Sequence, residues 1–374
     1  MDRGCNRSPG RAAGTAVGAA LLPVLLLALA AAPACVEPGQ AEQRFDALGD
    51  PASVRLHTAT RRDTAPIIAD VLEAVSEVEG WLDPDDGPLA RLNRGATDGF
   101  HHFPEEQREF YRCVLLGLDY AQATRGAFDP TVGPLTRLYR ESPAAPTAEE
   151  IEPLLAAVGW QRVTVATETR AVRFRAPGME LDLGGVIKGF ALDLAARAFA
   201  RGGTYAGLLQ IGGNLYAWGA PPGTTSWEVE VPDPRDPQRT LLTVRTTNRG
   251  IAVSGRDAGG APQSGPRRVP VLNATNGRPV AGSLLVAVAI ADSGADADAL
   301  ATALMATGYH GAAELLERMY RVEAALLVAG NDGSPQVVAS ASLRDRVELS
   351  PQLQQETGGG VRFQLPPQSI ALPL

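Results

Sequence analysis

The glycine-rich stretch Met179-Glu-Leu-Asp-Leu-Gly-Gly-Val-Ile-Lys-Gly189 predicts a strand that ends in glycines at the start of a helix. Glycines at the start of a helix let backbone N–H groups approach an anion closely, and the helix N-terminus adds positive potential. Lys188 supplies a full positive charge at the same place. The stretch therefore predicts a cradle for a pyrophosphate. It has neither dinucleotide-binding nor Walker spacing, so a tight strand-to-helix turn without a ligand is the alternative.

Lys188 is unusual because 33 of the 34 basic residues are arginine and this residue is the one lysine. An ammonium group on a flexible stem offers a compact charge that the planar fork of arginine does not reproduce. Abundant Ala, Gly and Pro indicate a genomic bias against lysine codons. A role that arginine cannot fill and chance survival are both consistent with this count.

Helices and strands are predicted on both sides of this stretch. The helices are expected at about 64–82, 104–124, 147–159, 186–201, 297–307 and 311–321. The strands are expected at 54–57, 163–166, 171–174, 207–211, 214–218, 227–231, 241–244, 251–254, 283–290, 324–328 and 336–339. The two classes do not alternate regularly enough for a doubly wound sheet, so we expect an α+β fold.

The amino terminus resembles a secretory signal. Arg3, Arg7 and Arg11 precede an apolar stretch of residues 12–32, and small residues then lead to Cys35. This pattern predicts a signal peptide over residues 1–34. The ending Ala-Pro-Ala-Cys is similar to a bacterial lipoprotein cleavage site, with Cys35 as the lipidated residue.

Charge and cysteine content exclude some classes of protein. The formal net charge is -8, and residues 1–34 carry three arginines against one aspartate, so the remainder carries about -10. Such an acidic chain is not expected to bind nucleic acid. Without Cys5 and with Cys35 lipidated, Cys113 stands alone in an apolar helical pattern. We expect it to be a buried small hydrophobe, with no disulfide framework.

Two further segments are glycine-rich. Gly126-Ala-Phe-Asp-Pro-Thr-Val-Gly-Pro-Leu135 places Asp129 and Thr131 between two turns, and on turn chemistry alone a structural connection is favoured. Gln210-Ile-Gly-Gly-Asn-Leu215 fits a close backbone approach to a ligand and a simple bulge equally well.

A carboxylate and a hydroxyl share one face of a predicted helix in Ala297-Asp-Ala-Leu-Ala-Thr-Ala-Leu304, since Asp298 and Thr302 are four residues apart. Oxygen ligands of this kind suit Mg²⁺, particularly when substrate phosphates complete its shell. The alternative is an aspartate that interacts with the helix dipole and a threonine that bonds back to the helix.

These segments, in this order, resemble the ApbE family, the FAD:protein FMN transferases or flavin transferases. The similar patterns are GAFDPTVGPL at 126–135, DLGGVIKGFALD at 182–193, QIGGNLYAWG at 210–219, the turn at 254–255 and DADALATAL at 296–304. Leu89-Ala-Arg-Leu-Asn93 is similar to a further element of the family. The resemblance spans about residues 48–330.

The resemblance implies a mixed sheet with flanking helices and two lobes around an FAD cleft. It divides the chain into a signal peptide (1–34), a linker (35–47), a flavin transferase domain (48–345) and a flexible tail (346–374). The implied activity is a Mg²⁺-dependent transfer of FMN from FAD to a threonine hydroxyl of an acceptor protein, with release of AMP.

Site residues follow from the same resemblance. The implied flavin contacts are Ala127, Phe128, Asp129, Asp182 and Lys188. The implied metal ligands are Gly185, through its carbonyl, with Asp298 and Thr302. Lys188 and Asp298 would be the catalytic residues.

Some positions depart from the family pattern. Pro270-Val-Leu-Asn-Ala-Thr-Asn-Gly277 has proline where the family usually carries histidine, and Asn273 where it carries aspartate. A methionine-glycine-threonine element corresponds to Leu48-Gly49-Asp50, and Asp83 replaces an aromatic residue. An FAD-binding lipoprotein without catalysis and a metal-dependent FAD diphosphatase are therefore alternatives. We expect an exported protein, periplasmic or anchored outside the inner membrane, whose membrane contact is limited to a lipid anchor at Cys35.

Overall fold

The structure is a computed structural model that describes residues 39–60, 63–256, 269–330, 333–358 and 360–365. Its strands are β1 (Gly39–Ala47), β2 (Asp50–Thr58), β3 (His101–His102), β4 (Val163–Ala166), β5 (Ala171–Phe174), β6 (Thr204–Ile211), β7 (Asn214–Gly219), β8 (Trp227–Asp233), β9 (Asp236–Thr246), β10 (Arg249–Gly255), β11 (Leu284–Ala291), β12 (Glu323–Ala329), β13 (Pro335–Ser340), β14 (Val347–Leu349) and β15 (Val361–Leu365). Its α-helices are α1 (Ala65–Gly80), α2 (Pro88–Gly95), α3 (Arg108–Ala123), α4 (Gly133–Glu141), α5 (Ala148–Ile151), α6 (Ile187–Gly202), α7 (Gly294–Arg318) and α8 (Pro351–Glu356).

The described residues are organised around a mixed sheet in the order β1-β2-β6-β7-β10-β11-β12-β13-β15. Neighbouring strands are antiparallel, except β13 and β15, which are parallel. The interior strand β11 is apolar along its whole length because both of its faces are covered. Ala287 and Ala289 face a core under the helices, whereas Val286 and Val288 face a second core on the other side.

Helices cover the first face of the sheet. α6 packs against β6, α1 and α7, and it buries most of its surface, including Phe190, Leu194 and Phe199. A helix that is apolar nearly all round lies between other elements rather than at the surface. α6 is therefore held from several sides, which fixes the position of the glycine-rich turn that precedes it.

A small sheet of β14, β9 and β8 covers the other face. In β8, Trp227, Val229 and Val231 are buried and alternate with the exposed Glu228 and Glu230. This two-residue period is the signature of a strand with one face toward a core. A third small sheet, in the order β3-β5-β4, contains the predicted hairpin, which pairs from Val163 with Phe174 to Ala166 with Ala171.

This architecture confirms the α+β class and the mixed sheet with flanking helices. The described residues belong to one compact unit. The two lobes around an FAD cleft stay a prediction.

The linker predicted over 35–47 is wrong for Gly39–Ala47, which form β1. This strand pairs with β2 from Gly39 with Thr58 to Ala47 with Asp50. β1 is an edge strand whose side chains are mostly polar and at least partly exposed; its backbone pairs with β2, and Arg55 of β2 forms an ion pair with its Glu42. A search for apolar alternation therefore misses it.

The flexible tail predicted over 346–374 is wrong for most of its described part. β14 pairs with β9, and β15 pairs with β13. The Ser350 hydroxyl accepts a hydrogen bond from the Leu353 backbone N–H and caps α8. Leu349, Leu353 and Leu365 are buried and attach this segment to the body of the protein. Residues 366–374 lie outside the described residues.

The two helices predicted over 297–307 and 311–321 are confirmed as the two parts of α7, which meet at a kink. Gly308 interrupts α7 with φ 69° and ψ -179°, values that only glycine adopts readily. The helix also begins earlier than predicted, because the Ser293 side chain accepts a hydrogen bond from the Asp296 backbone N–H. The predicted helix over 147–159 is shorter: α5 is followed by a 3₁₀ helix to Ala157.

The signal peptide over 1–34 and Cys35 lie outside the described residues. Within the part of the chain that the structure describes, every helix is too short or too polar to cross a membrane. Cys113 is fully buried in α3, as predicted, and burial raises the pKa of its thiol.

Candidate active site

The glycine-rich stretch is fastened to two other elements just before α6. The Leu181 backbone N–H donates to Asn93 Oδ1 at 2.8 Å, and Asn93 Nδ2 donates to the Leu181 carbonyl at 3.0 Å. The Asp182 backbone N–H donates to the Pro130 carbonyl at 2.7 Å. The predicted Asn93 element and the loop at 126–135 therefore hold the segment that leads into the turn, which is not a strand in the structure.

Asp182 shapes the turn itself. Its Oδ1 accepts a hydrogen bond from the Gly184 backbone N–H at 2.7 Å, and its Oδ2 accepts one from Thr136 Oγ1 at 2.8 Å. Arg140 lies 3.5 Å from the same carboxylate. This predicted flavin contact thus has a structural role in joining α4 to the turn.

Gly185 lies close to side chains from two other elements. A Cβ at this position would lie 3.0 Å from Thr302 Oγ1 and 3.0 Å from Cε2 of Phe128. Any side chain would therefore push against both neighbours. The structure therefore places one predicted flavin contact, Phe128, and one predicted metal ligand, Thr302, beside a second predicted ligand, Gly185.

Asp298 lies one helical turn before Thr302 on α7 and is buried. Its Oδ2 accepts a hydrogen bond from the Gly189 backbone N–H at 3.0 Å, and the Asn214 side chain donates to the same carboxylate. Burial raises the pKa of Asp298, while the nearby Lys188 ammonium opposes that rise. Lys188 and the Asp298–Thr302 face therefore lie on the same side of the molecule.

Two glycines bring α6 and α7 this close. A Cβ on Gly189 would lie 2.1 Å from the Gly294 carbonyl oxygen, and one on Gly294 would lie 2.6 Å from the Gly189 carbonyl oxygen. The α7 N-terminus is also held by Asp193, whose carboxylate accepts hydrogen bonds from the backbone N–H groups of Gly294 and Ala295. Burial raises the pKa of Asp193 to about 6.

Lys188 contacts a carboxylate that sequence reasoning did not assign to the site. Its Nζ lies 3.2 Å from Oδ2 of Asp50, at the start of β2. Asn214 was also missed as a partner of Asp298, although its segment was recognised. The glycine-containing segments at 48–50 and 210–215 stood out in the sequence. The ion pair between Asp50 and Lys188, 138 positions apart, could not be inferred from them.

The loop at 126–135 is built around Asp129. Its Oδ1 accepts hydrogen bonds from the backbone N–H and the hydroxyl of Thr131, at 2.9 and 2.6 Å, and its Oδ2 accepts one from the Trp160 backbone N–H at 3.1 Å. Burial raises the pKa of Asp129, and these bonds oppose the rise. Phe128 is buried and Ala127 is half-buried. The flavin contacts of Ala127, Phe128 and Asp129 stay predictions.

Residues 270–277, which depart from the family pattern and are called the divergent segment, form a local turn. Asn273 Oδ1 accepts a hydrogen bond from the Thr275 backbone N–H at 2.9 Å, and the Asn273 backbone N–H donates to the Arg278 carbonyl. Gly277, at φ 68°, packs on Leu135 and Ile151. Asn273 is thus engaged within its own turn.

The histidines of the chain lie elsewhere. The ring of His57 packs near Tyr205 and Trp227, and that of His101 near Phe103. His102 ends the short strand β3, and His310 lies beside Tyr309 beyond the kink of α7. No histidine is thus among the described partners of Lys188, Asp182 or Asp298.

The donor set around Gly185 fits a hard cation. Asp298 supplies a carboxylate, Thr302 a hydroxyl and Gly185 a backbone carbonyl, and Mg²⁺ prefers such oxygen ligands together with phosphates and water. Among the described residues there is no group of three or more His, Cys, Asp or Glu side chains placed to hold a metal. Water or the phosphates of a ligand would complete the shell of a cation at this site.

Two cavities, of about 570 and 320 Å³, lie beside the start of α7. Asp296 lines both of them, and neither is lined by Lys188, Asp298 or Thr302. The geometry of donors and charges, rather than the size of a cavity, thus identifies the candidate site.

The fold and the site define an α+β protein in which a helix N-terminus, one ammonium group and an oxygen donor set converge on a glycine-rich turn. The chain belongs to the ApbE family, whose model matches residues 48–326.

Sequence relatives carry a common name. The FAD:protein FMN transferase of Escherichia coli (strain K12) is 30% identical over 213 residues, which are 55% of this chain and 61% of that protein. The FAD:protein FMN transferase of Treponema pallidum (strain Nichols) is 26% identical over 283 residues, 71% of this chain and 76% of that protein. The chain thus spans about three fifths of the length of the Escherichia coli relative.

Solved structures share the fold. The flavin transferase ApbE from Vibrio cholerae superposes with a TM-score of 0.72 at 22% identity, covering 83% of this chain and all of that one. The ApbE protein from Thermotoga maritima gives a TM-score of 0.67 at 24% identity, covering 85% of this chain and 99% of that one. At these identities the likeness concerns the fold.

Proposed function

We propose that the protein transfers FMN from FAD to a threonine hydroxyl of an acceptor protein, in a reaction that depends on Mg²⁺ and releases AMP. The name shared by its sequence relatives supports this activity. The observation that carries it is that Lys188, Asp298 and Thr302 lie near the glycine-rich turn, and we infer that one diphosphate binds there between the ammonium group and a cation.

The reaction exchanges one phosphorus–oxygen bond for another. The acceptor hydroxyl oxygen forms a bond to the phosphorus of the FMN half, the bond to the AMP phosphate breaks, and the hydroxyl proton is released. Charge builds up on the diphosphate oxygens during this step, so catalysis rests on positioning and on neutralisation of that charge.

Residues of this chain supply both the positioning of the diphosphate and the neutralisation of its charge. Lys188 lies at the first turn of α6, where the backbone N–H groups of the helix N-terminus also attract the diphosphate. Gly185, Asp298 and Thr302 would hold Mg²⁺, which when bound neutralises negative charge on the phosphates. The hydrogen bonds of Asp298 with Gly189 and Asn214 keep its carboxylate fixed.

The test is incubation of the purified protein with FAD, Mg²⁺ and a co-expressed acceptor protein, followed by mass spectrometry of the acceptor and chromatography of the nucleotides. We expect covalent FMN and an equal amount of AMP. Asp298→Asn should reduce the rate at least about a hundredfold, because a bound cation contributes several kcal/mol of charge stabilisation. Asp296→Asn is the matched control, since Asp296 lies on the same helix but bonds Tyr120.

The divergence at Pro270 and Asn273 favours two alternatives that the same assay separates. A protein that binds FAD and leaves it intact would be a flavin-binding protein without catalysis. Release of free FMN together with AMP, without labelling of the acceptor, would identify a diphosphatase. Either result would contradict the transferase proposal.

The proposal includes export. The pattern of residues 1–34 supports a signal peptide, and the small residues before Cys35 support a lipid anchor there. Mass spectrometry of the N-terminal peptide from isolated membranes tests both. An N-terminus at Cys35 with attached acyl chains is expected, and an unprocessed Met1 would contradict it.

A further inference from the structure

The three groups proposed above as cation ligands come from two different elements. Gly185 lies in the turn that leads into α6, whereas Asp298 and Thr302 lie on α7. A Cβ on Gly185 would lie 3.0 Å from Thr302 Oγ1, so the two elements meet closely at this place. The distances between the donor atoms therefore depend on how α7 is placed against α6.

The N-terminus of each of these helices donates backbone N–H groups to an aspartate of the other helix. From α6, the Gly189 N–H donates to Asp298 Oδ2 at 3.0 Å. From α7, the Gly294 N–H donates to Asp193 Oδ1 at 2.7 Å, and the Ala295 N–H donates to Asp193 Oδ2 at 2.9 Å. The first N–H groups of a helix have no partner within that helix, so each aspartate satisfies groups that would otherwise stay unpaired. We call this arrangement the reciprocal clamp.

The two aspartates of the reciprocal clamp differ in what else they contact. Asp298 belongs to the donor set of the cation, whereas both carboxylate oxygens of Asp193 are engaged by α7, and the Ser293 hydroxyl donates to the same carboxylate. Strand β10 confines the start of α7 as well, because a Cβ on Gly250 would lie 2.2 Å from the Ser293 carbonyl oxygen. Asp193 thus fixes the start of α7, one helical turn before Asp298.

The size of the cation makes this placement important. Mg²⁺ needs nearly ideal octahedral geometry with oxygen atoms at about 2.0 to 2.1 Å, whereas Ca²⁺ accepts about 2.3 to 2.6 Å in a flexible geometry. Resting on the cation site proposed above, we infer that Asp193 is a positioning residue that sets the preference of this site for Mg²⁺ over Ca²⁺. It holds Asp298 and Thr302 at a fixed distance from the Gly185 carbonyl without being a ligand itself. A loosened α7 holds the smaller ion less well and affects the larger ion little.

The experiment titrates Mg²⁺ and Ca²⁺ separately into the whole protein saturated with FAD, by isothermal titration calorimetry. The wild type should bind Mg²⁺ more tightly than Ca²⁺. Asp193→Asn keeps one acceptor oxygen and Asp193→Ala keeps none. We expect the Mg²⁺ affinity to fall about tenfold in Asp193→Asn and further in Asp193→Ala, as for other residues that orient metal ligands. The Ca²⁺ affinity should fall by less than about threefold in both.

The titrations are made well above pH 6, because burial raises the pKa of Asp193 to about 6 and only the ionised carboxylate accepts hydrogen bonds on both oxygens. Asp296→Asn is the control for charge. It removes an equal charge from the first turn of α7, where Asp296 bonds Tyr120, and a lost charge weakens two divalent ions alike. Ser350→Ala is the control for stability, since it removes the cap of α8. Both controls should leave the ratio of the Mg²⁺ and Ca²⁺ affinities unchanged.

The outcomes separate this inference from the proposed function. A wild type without preference for Mg²⁺, or folded Asp193 variants with the wild-type ratio, contradict the role of Asp193 alone. Equal losses of affinity for both cations also contradict it, because they indicate lost charge rather than altered geometry. A wild type that binds no FAD, or binds FAD but no cation, contradicts the proposed function and, with it, the role of Asp193.

Thermal unfolding verifies that each variant is folded. Asp193→Asn serves if Asp193→Ala does not fold. If neither variant folded, Asp193 would be required for the fold itself, and its assignment to the selectivity of the cation site would be contradicted.

Discussion

The glycine-rich turn at 182–189 and the segment at 269–280 are two parts of one expected site, and they are built in opposite ways. The turn is held by contacts from far along the chain: from α2 through Asn93, from α7 through Asp298 and from β2 through Asp50. The segment at 269–280 forms its hydrogen bonds largely within itself, and its Leu272 and Gly277 pack on Leu135 and Ile151. We expect a turn that is hydrogen-bonded to distant elements to tolerate fewer substitutions than a segment whose hydrogen bonds are mostly local.

We expect the largest effect of a single substitution at the crossing of α6 and α7, next to the glycine-rich turn. Gly189→Ala would place a methyl group 2.1 Å from the Gly294 carbonyl oxygen, and both partners are backbone that cannot move without separating the helices. We expect a loss of about 3 kcal/mol in the free energy of unfolding, at the upper end of overpacking effects, and loss of FAD binding. Urea denaturation and calorimetry measure the two.

Gly99→Ala is the control for this change, because a Cβ at Gly99 meets nothing within 4 Å. If Gly189→Ala kept wild-type stability and FAD affinity, the close crossing of the helices would not be what positions Asp298.

The free energy of unfolding should also depend on pH through Asp193, which lies at the same crossing of α6 and α7. Burial raises the pKa of Asp193 to about 6, above its usual 3.8, so the folded protein binds this proton more tightly than the unfolded chain. Stability from this group is therefore fully present below about pH 4 and is lost as pH rises to about 6. The loss should amount to about 2 to 3 kcal/mol.

Unfolding in urea at several pH values measures this loss as the difference between the wild type and Asp193→Asn. The difference should shift in favour of the variant as pH rises through that window. A constant difference would show that Asp193 titrates alike in both states.

The smallest effect is expected in the divergent segment. Asn273→Ala removes the acceptor for the Thr275 backbone N–H and should cost about 0.5 to 1 kcal/mol of stability, while FAD affinity stays the same. Asn273→Asp keeps an acceptor oxygen and should restore most of the stability. A large fall in FAD affinity in Asn273→Ala would instead place this side chain at the flavin.

Much of the fold was predictable where the pattern of apolar and polar side chains reflects which of them are buried. The alternation of Trp227, Val229 and Val231 with two glutamates in β8 identified a one-sided strand, and the helical spacing around Asp298 and Thr302 placed both on one face. β1 and the segment after residue 346 were missed, because backbone pairing and a few buried leucines fix them despite polar sequences.

The site was predictable in its residue types but only partly in its pairings. The lone lysine and the glycine-rich turn indicated an anion site, and the resemblance supplied Gly185, Asp298 and Thr302. The ion pair of Lys188 with Asp50 depends on β2 lying beside β6, which no local pattern in the sequence encodes.

The central claim is that Lys188 and the Gly185–Asp298–Thr302 donor set flank one diphosphate. A crystal structure of the protein with FAD and Mn²⁺ in place of Mg²⁺ tests it most directly, because Mn²⁺ can be located by anomalous scattering. We expect an anomalous peak bonded to Asp298, Thr302 and the Gly185 carbonyl, with the FAD diphosphate between it and Lys188. FAD bound elsewhere, or a metal peak remote from Asp298, would contradict the account.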